Sequence, residues 1–586
     1  MGAFFLFEKN PAVDLIEAER SFQDQGFAAK EVFSLGTREL WLYRKQLTTC
    51  QNYSFGPRNA RIFAVGTLAY RGLDYRESLE KLVADHEKNG IEFDRLLGVF
   101  FIIINEGNRI LFVRDRQRIH EVFSSPNGSV VSSSFLSVVA SSRSPLNINK
   151  KGLMENLLCG YPLRPKTIVD GVSSIESDLE ERWRPEGERF HRWPKPKYES
   201  HLDGEYAEVV ETQLKVCRDV ISSFKPMATS FGSNIGVSGG VDSRLLILLA
   251  TRAGIDVNAH THRKPLDPLD REIAERVCSA LNVRLTTTFG GYPEDSDPAQ
   301  VAESVIDALR LFDGRIHSMT GVFNRTFTRE YRAEVYEGDG FGIGGFGGEV
   351  FRNFDGSSFS PARFGDWVQY RVFSPHLLHA VTDKEGKEEL IAGVTSAIGK
   401  KLDIDVALSL SLHARRRYFV EVWLQECFGL RSSTENKMTF YLAPFTLASV
   451  TQSALSAVRY QRRRGGIERS MIRALHEGVA AIPYRDDVLE RALPWTKRAA
   501  KQLWSRCPDS LKTRIAPLAE MRTVAPEHSH GADMLLTHAI ARQGLETLRA
   551  LALPLNWSRV LYSRSSAERA IGLGIALRSL GGHLRW

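Results

Sequence analysis

The chain of 586 residues is long enough for two or more domains with hydrophobic cores of their own. Its hydrophobic content of 43% and charged content of 25% are those of an ordinary globular protein, which excludes a disordered or fibrous chain. The 77 Lys and Arg residues exceed the 70 Asp and Glu residues by only seven, so we do not expect a nucleic-acid partner. The longest apolar run, residues 96–104, is about half a membrane span and predicts a buried strand.

The six cysteines are far apart, with neither a Cys-x-x-Cys pair nor the spacing of metal ligands. This pattern is typical of reduced, mostly buried thiols in a cytosolic protein. We therefore expect a cytoplasmic protein that has no membrane partner.

Residues 1–190 are predicted to be rich in strands. The segments 61–65, 99–104 and 109–113 combine β-branched and aromatic residues, and residues 105–108 have the composition of a hairpin turn. Residues 191–205, with two prolines among charged residues, are predicted to be a linker.

Residues 206–586 change in pattern and form the second predicted domain. A strand at 234–237 is followed by a glycine loop, a helix from Asp242 to Gly254, a strand at 257–261 and a helix at 270–281. This order predicts a parallel α/β sheet that binds ligands at the carboxyl ends of its strands. Beyond about residue 359 the pattern is mainly helical, and we expect the basic clusters 415–417 and 462–464 to be solvated helix faces.

The most informative segment is residues 238–243, with the sequence Ser-Gly-Gly-Val-Asp-Ser. Two glycines between a strand and a helix allow a tight turn, and the helix N-terminus and the serine hydroxyls favour a bound pyrophosphate. A carboxylate at Asp242 fits this setting if Mg²⁺ lies between it and the phosphates. The alternative is a glycine turn in which Ser and Asp only cap the helix; the segment is not a Walker loop, because no Gly-Lys-Ser/Thr follows.

A second glycine-rich stretch covers residues 337–353. It matches the dinucleotide pattern Gly-x-Gly-x-x-Gly, but with so many glycines that match carries little weight. A flexible surface loop is the other plain interpretation.

The Ser-Gly-Gly-x-Asp-Ser segment resembles the loop of ATP pyrophosphatases, which cleave ATP to AMP and pyrophosphate and activate a carboxylate as an adenylate. The glycine-rich stretch resembles the second loop of the asparagine synthetase family within that group. The resemblance implies ATP and Mg²⁺ as cofactors, with Asp242 and Glu349 as metal ligands and catalytic carboxylates. The nucleotide contacts that it implies are Val237, Ser238, Gly239, Gly240, Asp242, Ser243, Thr261, Gly344 and Gly345.

The N-terminal region also resembles this family, through residues 65–70, 97–100, 114–116 and 132–136 taken in order. The family has there a class II glutamine amidotransferase domain, a β-sandwich of the N-terminal-nucleophile type whose terminal cysteine attacks glutamine. This chain begins Met-Gly-Ala-Phe, and the glutamine-binding positions are Val65, Thr67 and Leu97. We expect the domain to be a structural remnant without glutaminase activity.

β-Lactam synthetases and lasso-peptide cyclases share this plan, because they lack the cysteine and use an amine of the substrate itself. The resemblance therefore implies an AMP-forming amide ligase whose amine does not come from glutamine. Its substrate would be a small molecule or peptide with a carboxylate and an amine, and a protein of the same biosynthetic cluster would be its partner. A peptide cyclase, a small-molecule cyclase and an ammonia-dependent amidase all remain open.

The chain departs from the family where a lysine normally stabilises the transition state. Arg485, assigned as the third catalytic residue, or Lys497 could replace it, although a surface charge is the more usual role of such a residue. The missing lysine keeps open a nucleotide-binding pseudoenzyme that acts as a scaffold, and the basic pI keeps open a tRNA-modifying ATP pyrophosphatase. For His260 and His262 we expect a structural or adenine-side role, since no acidic residue stands at ligand spacing from them.

Overall fold

The computed structural model describes residues 2–585 apart from 10–12, 177–179, 182, 184, 195–203, 264–267, 293–295, 316–322, 337–339, 354–361, 462–465, 508–510 and 512–537. Over these residues the protein is mixed α/β, with several sheets that include a five-stranded, entirely parallel one. The prediction of strands first and helices later is confirmed at this level. Within the described part of the chain, no helix is both long and apolar enough to cross a bilayer.

Two sheets made mostly of antiparallel strands lie in the N-terminal part. In spatial order the first contains Ser173–Ser174, Phe123–Ser124, Val130–Ser132, Ala3–Glu8, Arg38–Tyr43 and Lys30–Leu35. The second contains Glu188–Phe190, Arg109–Arg114, Leu96–Glu106, Arg61–Tyr70 and Tyr53–Phe55. The predicted hairpin is confirmed, because Glu106 pairs with Arg109 across a two-residue turn.

The two sheets stack face to face through an apolar layer, as the alternation of side chains along their strands requires. Phe4 of the first sheet stacks on Phe101 of the second, with ring centroids 5.1 Å apart. Helices cover the outer faces of both sheets. On the first sheet the ring of Phe22 stacks on Tyr43, and on the second the hydroxyl of Tyr75 donates to the carbonyl of Ala64. The N-terminal helices are Leu15–Asp24, Tyr75–Lys88, Phe135–Ala140 and Lys150–Cys159.

The parallel sheet lies in the second half of the chain. Its strands are, in spatial order, Leu285–Phe289, Asn258–Arg263, Ser233–Gly236, Phe341–Ile343 and Phe440–Leu442. The accompanying helices are Tyr206–Ser223, Lys225–Phe231, Val241–Arg252, Leu269–Ala280, Pro298–Leu311 and Arg329–Tyr336. The strands and helices predicted between residues 234 and 281 all form within a few residues of their expected bounds, since short apolar runs before helical periodicity are typical of buried parallel strands.

The remainder of the described chain is mainly helical, as predicted. Its helices are Phe364–Arg371, Pro375–Leu378, Lys384–Leu402, Leu412–Tyr418, Gly429–Met438, Ala448–Ser456, Gly466–Leu475, Glu477–Ala481, Arg485–Ala492, Trp495–Arg506, Ala539–Ala550, Trp557–Val560 and Arg564–Ser579, with a π-helix at Phe419–Phe428. Two short strand pairs complete the fold: Leu146–Asn147 with Leu584–Arg585, and Ala362–Arg363 with Ser409–Leu410.

The two predicted domains are in close contact. The ammonium of Lys45, in the N-terminal part, is buried and donates to the carbonyl oxygens of Asn436 at 2.7 Å and Thr439 at 3.0 Å. Thr67 Oγ1 donates to Asn436 Oδ1 at 2.7 Å. The boundaries at 190 and 206 stay predictions, and much of the predicted linker, residues 195–203, lies outside the described residues.

One prediction about charge is wrong. Arg415 and Arg416 are buried instead of lying on a solvated helix face, because they pack inside the helical part and find polar partners there. Arg417 pairs with Glu421 at 2.6 Å. The other cluster, 462–464, lies outside the described residues. The six thiols are free and four of them are buried, which confirms the expectation for the cysteines.

Candidate functional site

The segment 238–243 joins the strand Ser233–Gly236 to the helix Val241–Arg252, at the carboxyl end of the parallel sheet. The helix begins after Gly240, and among the described residues no side chain caps its first turn. The amide groups at the start of a helix carry partial positive charge and lack partners within the helix. This end of the sheet is therefore suited to an anion.

The loop is held in shape by its own serines. Ser243 Oγ accepts from the amide of Ser238 at 3.1 Å and lies 3.0 Å from Ser238 Oγ. The amide of Gly240 donates to Ser238 Oγ at 3.3 Å. The two hydroxyls thus brace the loop, in addition to being the potential phosphate donors that the sequence indicates.

Gly239 is required by close packing on both sides. Its amide donates to Asp270 Oδ1 at 3.0 Å, and its carbonyl accepts from the amide of Arg485 at 3.0 Å. A Cβ at this position would lie 2.8 Å from Arg485 Cβ and 2.9 Å from Asp270 Oδ1. Because such distances are not tolerated, a residue larger than glycine would displace the loop.

The second glycine loop packs directly on the first. A Cβ on Gly345 would lie 3.0 Å from the carbonyl carbon of Asp242 and from the amide of Ser243. A Cβ on Gly348 would collide with the carboxylate of Asp242, and one on Gly344 would collide with the hydroxyl of Tyr441. The structure therefore brings together the two loops that the sequence singled out, and their glycines allow that approach.

A guanidinium joins the carboxylates between these loops. Arg352 donates to both oxygens of Asp242, with Nη2 at 2.9 Å from Oδ2. Its Nη1 donates to Glu468 Oε2 at 2.5 Å, and its Nη2 lies 3.8 Å from Glu349 Oε1. Glu468 is completely buried, whereas the other three side chains are about one fifth exposed.

The electrostatics of the cluster follow from this burial. Burial acts to raise the pKa of Asp242, but the hydrogen bonds with Arg352 and Glu468 and the charge of Arg352 outweigh it and lower that pKa. Burial, followed by the charge of Asp242, raises the pKa of Glu349 to about 7. The same two causes raise the pKa of Glu468 well above its usual range.

Asp242 and Glu349 fit a divalent cation in their chemistry. Both are carboxylates, they interact electrostatically, and they lie beside the helix start that is suited to phosphate. In the described part of the chain, no group of three or more His, Cys, Asp or Glu side chains could hold a metal ion. Two carboxylates alone are a sufficient protein contribution for Mg²⁺ only where phosphate oxygens and water complete its shell.

Val237 follows one strand of the parallel sheet, and Thr261 lies within the adjacent strand. The amide of Val237 donates to the carbonyl of His260 at 2.8 Å, and Thr288 Oγ1 donates to the carbonyl of Thr261 at 3.3 Å. Both residues are about 3% exposed, so little of either can contact a ligand at this edge without movement of its neighbours. Of the two nearby histidines, His262 bonds Tyr331, and burial lowers the pKa of His260 to about 3.

Arg485 is adjacent to the loop 238–243. Besides its amide bond to Gly239, its Nε lies 3.5 Å from Asp270 Oδ1. Lys497 is an exposed residue of the helix Trp495–Arg506. The buried guanidinium of Arg244 positions the segment before Arg485 by donating to the carbonyls of Ile482 at 2.6 Å and Pro483 at 3.0 Å.

Sequence reasoning missed Arg352, Glu468, Arg244 and Asp270. Arg352 carried one signal, since it stands three residues after Glu349 and so comes within ion-pair distance in a helical turn. Glu468 carried none, because it comes from a helix more than a hundred residues further on. Residues 337–339, the acidic start of the second glycine stretch, lie outside the described residues.

The predicted glutaminase positions are filled by packing. A Cβ on Gly2 would lie 2.5 Å from the ring of Phe27 and within 2.9 Å of the carbonyls of Arg44 and Lys437. Val65 is buried in its strand, and the hydroxyl of Thr67 is used by Asn436. No side chain fits at residue 2 without rearrangement, which gives a physical reason against a nucleophile at this position.

A cavity of about 180 Å³ lies at the other end of the parallel sheet. It is lined by residues near the amino-terminal ends of three strands, including Asn234, Asn258 and Arg284, and by His260. None of the residues assigned to the nucleotide lines it.

Comparison of the chain with known protein families finds no matching family, and comparison with curated proteins finds no match.

Proposed function

We propose that this protein is an ATP-dependent, AMP-forming amide ligase. It would adenylate a substrate carboxylate, release pyrophosphate and join the activated acyl group to an amine that does not come from glutamine. We further infer that the N-terminal sandwich is a degenerate class II amidotransferase domain and that the parallel sheet is an ATP-pyrophosphatase domain. The stacked sheets between helices and the parallel strand order support this assignment.

The observation that carries the proposal is the contact between the two glycine loops. Gly345 and Gly348 pack on Asp242, which places two carboxylates beside an uncapped helix start at the carboxyl end of a parallel sheet. Ligands of open α/β sheets bind at this edge. Carboxylates next to an anion site are expected where a metal ion bridges them to phosphate.

Each group has a role in the proposed reaction. The amides at the start of the helix Val241–Arg252 would bind the phosphates, and Val237, Thr261 and Gly344 would lie on the nucleoside side. Asp242 and Glu349 would hold Mg²⁺, which would supply positive charge to the leaving pyrophosphate. Arg485 lies beside Gly239, where its charge can favour the transition state in place of the family's lysine.

The source of the amine is inferred from the N-terminal part. The packing around Gly2 leaves no space for a nucleophilic side chain, so ammonia from glutamine is not the expected nucleophile. An amine of the substrate itself would close a ring, as in the maturation of a peptide or another natural product. Free ammonia or a second substrate would give an open amide.

A nucleotide-binding scaffold without turnover is the second candidate. It is favoured by the pairing of Asp242 with Arg352, which leaves the metal-binding carboxylate already neutralised. The two candidates differ in whether bound ATP is cleaved.

The test is an analysis of nucleotide products. The purified protein is incubated with Mg²⁺-ATP and extracts of small molecules and peptides, beside Asp242→Asn and the control Asp256→Asn, an exposed carboxylate in the connection before the strand Asn258–Arg263. We expect AMP and pyrophosphate from the wild type and the control, and at least about a 100-fold loss for Asp242→Asn. Formation of ADP would refute the ligase, and ATP binding without cleavage across the extracts would favour the scaffold.

A further inference from the structure

The charge arrangement around Arg352 has a consequence for metal binding. Its guanidinium donates to both oxygens of Asp242 and lies 3.8 Å from Glu349 Oε1. These are the two carboxylates that fit Mg²⁺. A divalent cation and Arg352 therefore need the same negative charges.

Arg352 also has a third partner that does not depend on the metal. Glu468, from the helix Gly466–Leu475, accepts from Arg352 Nη1 at 2.5 Å and is completely buried. Arg352 thus retains one partner if Asp242 is taken by another cation.

We propose that Arg352 is a built-in cation that competes with divalent metal for Asp242 and Glu349, so that metal binds well only together with nucleotide. The inference rests on the proposed metal and nucleotide site. Metal alone would have to displace the guanidinium and leave it beside a second positive charge. Metal that arrives with nucleotide brings phosphate oxygens, to which the displaced guanidinium can donate.

The size of the effect follows from electrostatics. Two like charges about 4–5 Å apart in a partly buried site repel by more than 1 kcal/mol. Removal of the guanidinium should therefore tighten the binding of metal alone by about tenfold or more. A purely structural Arg352 would give the opposite sign, because its loss would disorder the carboxylates and weaken metal binding.

The experiment measures Mn²⁺ binding to the full chain by electron paramagnetic resonance, without nucleotide. We expect Arg352→Gln to bind Mn²⁺ about tenfold more tightly than the wild type, and Arg352→Lys to stay within about threefold. Arg469→Gln is the matched control, since it removes a positive charge from the residue next to Glu468, where Arg469 pairs with Asp487 at 2.8 Å. Its affinity for Mn²⁺ should change by less than about threefold.

The second arm adds a non-hydrolysable ATP analogue. In the wild type the analogue should raise the affinity for Mn²⁺ at least tenfold, and in Arg352→Gln the gain should be clearly smaller. Unchanged or weaker Mn²⁺ binding by Arg352→Gln overturns the inference while leaving the ligase assignment intact. No Mn²⁺ binding by any variant, even with the analogue, overturns the metal site itself.

Arg352→Gln could fail to fold, because it leaves three acidic groups without their cation. The comparison is then made between Glu468→Gln and the double variant Arg352→Gln/Glu468→Gln, which differ only at Arg352. The double variant should bind Mn²⁺ about tenfold more tightly than Glu468→Gln. Equal affinities would contradict the competition.

Discussion

Glycine is used in opposite ways in the two halves of the molecule. Around Gly2 in the sandwich, the close neighbours are the ring of Phe27 and two carbonyl oxygens, and the space is closed by packing. Around Gly345 and Gly348, the close neighbours are the backbone and carboxylate of Asp242. The first arrangement excludes chemistry from a position, whereas the second brings charged groups into one place. A closely packed glycine therefore indicates a functional site only when the groups that it contacts are themselves capable of chemistry.

The largest expected effect comes from blocking the second approach. In Gly348→Ala the new methyl group would collide with the carboxylate of Asp242 and push the two loops apart. We expect about a 100-fold loss of AMP formation, since small displacements of reacting groups cost rates of this order. The control Gly365→Ala, where no atom lies within 4 Å of the new Cβ, should keep activity. Wild-type turnover by Gly348→Ala would show that the loop contact does not matter.

The corresponding change in the sandwich tests stability instead of turnover. Gly2→Cys would force a side chain against Phe27 and lower the free energy of unfolding by up to about 3 kcal/mol, measured by chemical denaturation. No glutaminase activity should appear, because Val65 and Thr67 are occupied by packing and by Asn436. Release of glutamate from glutamine by this variant would contradict the view that the position is closed.

A smaller effect is expected where the loop is supported from behind. Arg244→Met would leave the buried carbonyls of Ile482 and Pro483 without their donor, which should cost about 2 kcal/mol of unfolding free energy. It should also weaken ATP binding, because the segment that carries Arg485 would lose its support. The control is Arg252→Met. Arg252 is the last residue of the same helix as Arg244, and its guanidinium donates to the carbonyl of Leu475. An unchanged ATP affinity in Arg244→Met would show that the segment carrying Arg485 does not contribute to ATP binding.

The last expected effect concerns the opposite end of the sheet and its pH dependence. Burial lowers the pKa of His260 from 6.5 to about 3 in the folded protein, so between these values the unfolded chain binds a proton that the folded chain does not. Stability should therefore fall on acidification from pH 6.5 towards 3, by up to about 1.4 kcal/mol per pH unit from this residue. His260→Asn should show a correspondingly shallower loss in pH-dependent denaturation. Equal slopes would mean that the folded protein protonates His260 as readily as the unfolded chain does.

The fold could be predicted from local patterns to a useful degree. The hairpin between Glu106 and Arg109 and the parallel strands that precede helices were accessible because composition and periodicity are local properties. The buried Arg415 and Arg416 were not, because a run of arginines has the same local pattern whether it faces solvent or polar partners inside the protein.

The candidate site could be predicted in part. Asp242 and Glu349 come from two motifs with recognisable spacing, and the structure brings those motifs into contact. Arg352 and Glu468 depend on the approach of the second glycine loop and of the helix Gly466–Leu475, which no single stretch of sequence specifies. Long-range ion pairs of this kind become visible only once the chain is folded.

The most direct test of the account is a crystal structure with Mn²⁺ and a non-hydrolysable ATP analogue, measured at the manganese absorption edge. We expect an anomalous peak in contact with the carboxylates of Asp242 and Glu349, and a triphosphate at the start of the helix Val241–Arg252. A nucleotide at the other end of the sheet, for example in the cavity near His260, or a metal ion away from both carboxylates, would contradict it.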